Sequence, residues 1–193
     1  GAIAESTHLI YLSGHPSVSV EAIVDIDGQR AEEVAKRHGV PHFFTTIEEM
    51  IRNVSVKAVF ICTPNQTHIS IAKKAAEKGI HVFIEKPIGV DLQEVKSYLA
   101  IAEENNIKTM VGMVHRFRHD VRILREYIEQ QKFGDIYYVK AKYYRRRGTP
   151  KGWFTNKALS GGGAIMDIGV HVLDLAWWLI GSPKVKSLSG KTV

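Results

Sequence analysis

Short apolar runs alternate with amphipathic stretches over residues 20–113. That rhythm constrains the fold more than any other feature, because strands joined by crossover helices build a parallel sheet, which makes the chain α/β. Strands are predicted at residues 20–25 (VEAIVD), 57–62 (KAVFIC), 80–84 and 108–113. Amphipathic helices are predicted at 29–38, ended by Gly39, at 69–78, stopped by Gly79, and at 91–105. The last opens with Asp91-Leu92-Gln93-Glu94, a capping box with Asp91 as N-cap and Glu94 reaching back.

A doubly wound nucleotide-binding sheet begins on an apolar strand, whereas this chain begins with Gly1-Ala2-Ile3-Ala4 directly before a helical pattern. The tetrapeptide matches the second half of G-x-G-x-x-G/A, with Gly1 as the second glycine and Ala4 in the third place. On that reading the first strand and first glycine are expected upstream; the other reading is an ordinary glycine-capped helix. Backbone N–H groups at Gly1, Ala2 and Ile3 would face a pyrophosphate at a helix start. Asp25 ends the next strand ~20 residues on, where an acid hydrogen-bonds the ribose hydroxyls of NAD. Asp25 is equally a turn-forming acid in Asp25-Ile26-Asp27-Gly28. A carboxylate there repels a 2′-phosphate and favours NAD over NADP, although Arg30 is close in sequence.

From residue 116 the character changes, which divides the chain into a first domain at 1–115 and a second at 116–193. The second is predicted to hold an arginine-rich helix at 116–131, a Gly134-Asp135 turn and a strand at 136–144. A loop rich in small residues then runs over 148–163, looking brief near Pro150-Lys151, and an apolar helix spans 164–180 with Gly181-Ser182-Pro183 as its stop. In that helix Leu173, Leu175, Trp177, Trp178 and Leu179 are expected to be core, and the final ten residues to start another strand.

Composition excludes several classes: 45% hydrophobic and 24% charged residues are those of a globular domain, not a disordered or fibrous chain. No apolar run approaches the ~18 residues of a spanning helix, and no basic segment precedes an apolar one at the start, so a cytoplasmic protein without a membrane partner is expected. Cys62, the single cysteine, lies in an apolar run and reads as a buried thiol. The net charge of +6 is spread among acids, and Arg145-Arg146-Arg147 is too short to argue for nucleic acid. The nine histidines show no metal-binding spacing, so no metal is expected.

Two loops follow predicted strands and therefore sit at the carboxyl edge of the sheet, where open α/β folds bind ligands. They are Thr63-Pro64-Asn65-Gln66-Thr67-His68 and Glu85-Lys86-Pro87. Blander readings are an N-capped helix start for the first and an exposed loop lysine for the second. Together with Gly79-Ile80-His81-Val82, Gly161-Gly162-Gly163 and Asp167-Ile168-Gly169-Val170-His171-Val172-Leu173-Asp174, this ordered set resembles the Gfo/Idh/MocA family, named after glucose–fructose oxidoreductase and inositol 2-dehydrogenase. The resemblance implies a Rossmann-type NAD(P)-binding domain, followed by the start of an α/β substrate domain whose open sheet forms a homo-oligomer interface. It implies catalytic roles for Lys86, Asp167 and His171, and cofactor contacts from Thr63, Pro64, Asn65, His68, Glu85, Lys86 and Arg116. The family's Arg-Arg pair before Phe is His115-Arg116-Phe117 here.

Oxidising an alcohol removes a hydroxyl proton while hydride leaves for the nicotinamide. His171 is the expected proton acceptor, Asp167 four residues earlier would share its helix face, and Lys86 would bind the substrate oxygen. An i,i+4 Asp–His pair is also a common structural contact. The implied activity is hydride transfer with a secondary alcohol or ketone of a sugar, polyol or cyclitol; a non-catalytic NAD(H)-binding regulator of the same fold is the alternative.

Overall fold

The computed structural model describes residues 1–146, 148 and 152–191. Arg147 of the basic run, the Pro150-Lys151 stretch and the last two residues lie outside the described residues.

A π turn, Ala4–His8, runs into α1 (Leu9–Ser13). Then follow β1 (Ala22–Val24), α2 (Gly28–His38), β2 (His42–Phe44), α3 (Ile47–Asn53), β3 (Ala58–Ile61), α4 (His68–Ala76), β4 (His81–Ile84), α5 (Leu92–Glu104) and β5 (Thr109–Val111). All strand pairs are parallel, as helical crossovers require. They form two sheets, β1-β2 and β3-β4-β5, rather than one continuous sheet.

Local chemistry explains most boundaries. Asp91 accepts from Glu94 N–H at 2.8 Å to start α5, and Asp27 accepts from Arg30 N–H at 3.1 Å to start α2. α2 ends at Gly39, whose φ of 66° lies in the left-handed region. β2 and α3 were not expected. A three-residue strand is too short to show alternation, and a seven-residue helix too short to show a period. One signal was present: Thr45-Thr46-Ile47-Glu48-Glu49 holds a capping box, with Thr46 accepting from Glu49 N–H at 3.2 Å.

The core lies between β3-β4-β5 and the helices α3, α4 and α5. Ala72, Ala75 and Ala76 let α4 approach Ile61, Val82 and Ile84 closely, and the Tyr98 hydroxyl pairs with Thr109 Oγ1 at 2.6 Å across α5 and β5. Each such buried aliphatic side chain contributes roughly 1.5–3 kcal/mol. On the opposite face Phe60 and Phe83 stack at 4.7 Å, and the His8 ring meets Phe83 edge-on at 5.1 Å. Burial, then the charge of Glu85, push the Cys62 thiol up to about 12, so it stays protonated.

Beyond β5 come a short turn, Val114–Phe117, α6 (His119–Glu129), α7 (Lys157–Ser160), a π turn, Ile165–Gly169, and α8 (Val170–Leu179). The strand expected at 136–144 has no hydrogen-bonded partner among the described residues, and neither does the one expected after residue 183. The expected core of α8 is also overturned: Leu173 is 60% and Trp177 42% exposed, because nothing among the described residues packs on that face. Lys157–Leu179 has the length and mean hydropathy, 1.2, of a membrane span. Run-counting misses it because Asp167, His171 and Asp174 interrupt the apolar residues.

Candidate active site

β3 and β4 pair in register through Ile61 and Ile84, so the segments that follow them leave the sheet side by side. His68 locks the two segments together: its ring nitrogens lie 2.8 Å from the Pro87 carbonyl and 2.9 Å from the Thr63 carbonyl. It is 1% exposed, a buried bridge between the two loops. Thr67 Oγ1 donates to Thr63 Oγ1 at 2.7 Å, shaping the same turn around Pro64. Asn65 is buried too, its amide donating to the Ser160 carbonyl at 2.8 Å, so this side chain ties the loop to the second region instead of facing outward. Gly161 follows Ser160 at φ 76°, pressed against Val90 where a Cβ would overlap.

That seam brings Lys86 to Asp167. Lys86 Nζ donates to the Asp167 carbonyl at 2.7 Å and to Oδ1 at 3.3 Å, while Arg145 Nη1 donates to Oδ2 at 2.8 Å. Both Lys86 and Asp167 are less than a fifth exposed. The pair belongs to residues 81 positions apart, so only the fold unites them. Beside Asp167 opens a cavity of about 590 Å³, lined also by Tyr143, Arg145, Phe154, Thr155 and Ser160.

His171 lies one turn on, but Asp167 makes no hydrogen bond to it. The reason is local: Asp167 sits in a π turn, whose i→i+5 bonding alters the α-helical spacing, and its carboxylate is already divided between Lys86 and Arg145. His171 Nδ1 is buried with no partner among the described residues, and its ring meets that of His115 edge-on, centroids 4.7 Å apart at 70°. Burial, then the charges of Lys86 and His115, push His171 down to about 4, against weaker upward effects of Glu85 and Asp167.

Arg116 is turned to α8. Its Nε donates to Asp174 Oδ2 at 2.8 Å and its Nη2 to Oδ1, a bidentate pair that fixes the Val114–Phe117 turn on α8 and holds the guanidinium above its usual range. Glu85 also points inward, onto His8 Nε2 at 2.7 Å. His8 was missed by sequence reasoning, as were Arg145 as a partner of Asp167 and His115 as a partner of His171. No spacing rule reaches across 77 residues, although a polar residue facing the apolar rings of Phe60 and Phe83 is a signal once the strands are placed.

At the start of the loop after β3, Gly1 packs so closely on Cys62 that a Cβ would stand 2.7 Å from its carbonyl oxygen. The Gly1 nitrogen lies 3.8 Å from Asp25 Oδ2, and Arg30 Nε 3.7 Å from the same oxygen. Asp25 also caps its own turn, accepting from Asp27 N–H at 3.2 Å.

Comparison with known proteins places the chain. Residues 1–113 match the family profile described as "Oxidoreductase family, NAD-binding Rossmann fold", and residues 121–193 the "GFO/IDH/MocA C-terminal domain". It is 32% identical over 191 residues, 98% of this chain and 54% of the relative, to D-glucoside 3-dehydrogenase of Escherichia coli (strain K12). It is 30% identical over 91% of its length to scyllo-inositol 2-dehydrogenase (NAD(+)) of Bacillus subtilis (strain 168), covering 50% of that protein. The structure of levoglucosan dehydrogenase in complex with NADH and levoglucosan superposes with a TM-score of 0.80 at 28% identity, over 94% of this chain and 52% of that one. The chain thus spans about half the length of the curated relatives it matches. With parallel sheets and helices arranged as in these structures, and with both family profiles in order along its length, this chain belongs to the GFO/IDH/MocA oxidoreductase family.

Proposed function

We propose that this chain carries the reacting residues of an NAD-dependent dehydrogenase that oxidises a secondary alcohol of a sugar, polyol or cyclitol. The observation that carries this reading is Lys86 Nζ, held on the Asp167 carboxylate beside a cavity, with a neutral histidine one turn away.

The residues at Gly1 fit a dinucleotide. Its Cβ-free approach to Cys62 leaves the helix start open to a pyrophosphate, and Asp25 stands where ribose hydroxyls would be bound. Gly1, Ala2, Ile3, Asp25, Thr63, Pro64 and Lys86 would hold the cofactor, with NAD favoured over NADP by the Asp25 carboxylate. NAD supplies a hydride acceptor when bound. The protein's own part is to hold the substrate and move a proton. Lys86 donates to the substrate oxygen and stabilises the negative charge growing there. Asp167 and Arg145 fix the lysine's position, and His171 takes the hydroxyl proton. The relatives' names supply the substrate class: a glucoside, an inositol and levoglucosan all offer secondary hydroxyls. We place the cofactor domain at 1–115 and the substrate domain at 116–193, in a cytoplasmic homo-oligomer contacting through the second domain, with no membrane or nucleic-acid partner.

NADH formation across a panel of sugars and cyclitols tests this. Lys86→Ala and His171→Ala are expected to lower kcat by ~10²–10⁴-fold, and in His171→Ala NADH affinity stays within about twofold. Turnover retained in His171→Ala removes that residue from the mechanism. Tight NADH binding with no turnover on any member of the panel favours the regulatory reading.

A further inference from the structure

His171 lacks the usual means of fixing an imidazole. Its Nδ1 is buried without a partner among the described residues, and the carboxylates nearest in sequence are committed elsewhere, Asp174 to Arg116 and Asp167 to Lys86 and Arg145. A buried ring nitrogen with neither donor nor acceptor leaves the plane of the ring to packing alone. What packs there is a second imidazole. His115 meets the His171 ring edge-on at 4.7 Å, and it stands on a turn that Arg116 fastens to Asp174, three residues beyond His171 on α8. The turn carrying one histidine is therefore fixed to the helix carrying the other.

We propose that His115 is the positioning residue for His171: its ring fixes the plane of the reacting imidazole, and the two rings together accept one proton rather than two. The proposal rests on the reading of His171 as proton acceptor and deepens it. Two imidazolium charges at ring-contact distance repel each other, so a proton on one raises the cost of a proton on the other. The groups facing His171 are Lys86 and Glu85 from the segment after β4, Asp167 from its own helical stretch, and His115 from the turn after β5. With Lys86 already cationic, a charged His115 would leave His171 a poor acceptor. A proton that settles on His171 is therefore one that the neighbouring ring does not also carry.

Histidine-labelled protein followed by ring ¹⁵N and ¹H resonances across pH tests the pair without substrate. In His115→Gln, which removes the ionisable ring, the His171 midpoint is expected to rise by about half a pH unit or more. His115→Phe keeps an edge-on aromatic and should show the same rise with a single sharp His171 signal, whereas His115→Gln should show a broadened one. Unchanged amide shifts over 58–111 mark an intact fold, and if one variant misfolds the other gives the same midpoint. A His171 midpoint within about 0.2 units of wild type in the folded variant overturns the proposal. Because no turnover enters this readout, an inactive protein with a shifted His171 defeats the proposed function alone, and an unshifted His171 in an active enzyme defeats this inference alone.

Discussion

Between β3 and β5 the chain packs Ile61, Val82 and Ile84 against three alanines of α4 and leaves none of the six more than 3% exposed. α8 is just as apolar in composition, yet among the described residues it buries none of its ten. The first region holds itself together by burial, which is strong, non-directional and proportional to area. The second is attached to it through directional polar links, Lys86 to Asp167 and Asn65 to Ser160, and is braced within itself by Arg145 on Asp167 and Arg116 on Asp174. The geometry of the candidate site arises where the two modes meet, since a lysine on a packed sheet edge is a fixed point on which a less buried helix can be positioned.

The largest effect should come from the core. Ile84→Ala opens a cavity at a fully buried position of β4 and is expected to cost ~2–5 kcal/mol in chemical denaturation. Leu173→Ala on the exposed face of α8 should change stability by less than about 0.5 kcal/mol. Equal costs for the two would abolish the distinction between the regions.

Acid should act on the second region next. His171 takes its proton near 4 in the folded protein against 6.5 for a free side chain, so between those values the unfolded chain binds more protons. The stability this contributes is fully present above the unfolded value and is lost as pH falls through the folded one. Its size is at most about 3 kcal/mol, reduced by solvent since the ring is partly exposed. Denaturation midpoints measured from pH 7 to 4 should fall less steeply in His171→Phe; identical slopes would mean that the ring is not held neutral.

How much of this was legible beforehand follows from the same contrast. α4, α5, β3 and β4 announce themselves because burial imposes a period, and Asp91 and Gly39 are local signals of helix ends. β2 is too short to carry one. The segment at 136–144 has strand-like residues, but a strand is a pairing, and none of the described residues pairs with it. Lys86, Asp167 and His171 were readable as an ordered motif, not as a geometry: the helical spacing of Asp167 and His171 is altered by a π turn, the Asp167 carboxylate is shared with Arg145, and His8, His115 and Arg145 acquire partners only through the fold.

Breaking the Arg116–Asp174 link should loosen the second region while sparing the first. Asp174→Ala leaves a half-buried guanidinium without its bidentate partner, and charged hydrogen bonds of this kind contribute ~1.5–3 kcal/mol. Hydrogen exchange should accelerate over 157–179 and stay unchanged in β3, β4 and β5. Uniform acceleration in both regions would show one cooperative unit instead of two.

The smallest expected effect is also the most local. Asn65 is 5% exposed, and its amide is the donor that satisfies the Ser160 carbonyl at the end of α7, immediately before Gly161 turns the chain against Val90. Asn65→Ala removes one neutral hydrogen bond and strands one carbonyl, for about 1 kcal/mol. Asn65→Asp keeps the shape but substitutes an acceptor for the donor, so two oxygens oppose each other and the cost should be greater than that of the alanine. Neither change touches the core cluster, and neither should alter exchange in β4. If the aspartate variant is no worse than the alanine, the Asn65–Ser160 contact is packing rather than a hydrogen bond, and the seam that brings Asp167 to Lys86 relies on the lysine and arginine alone.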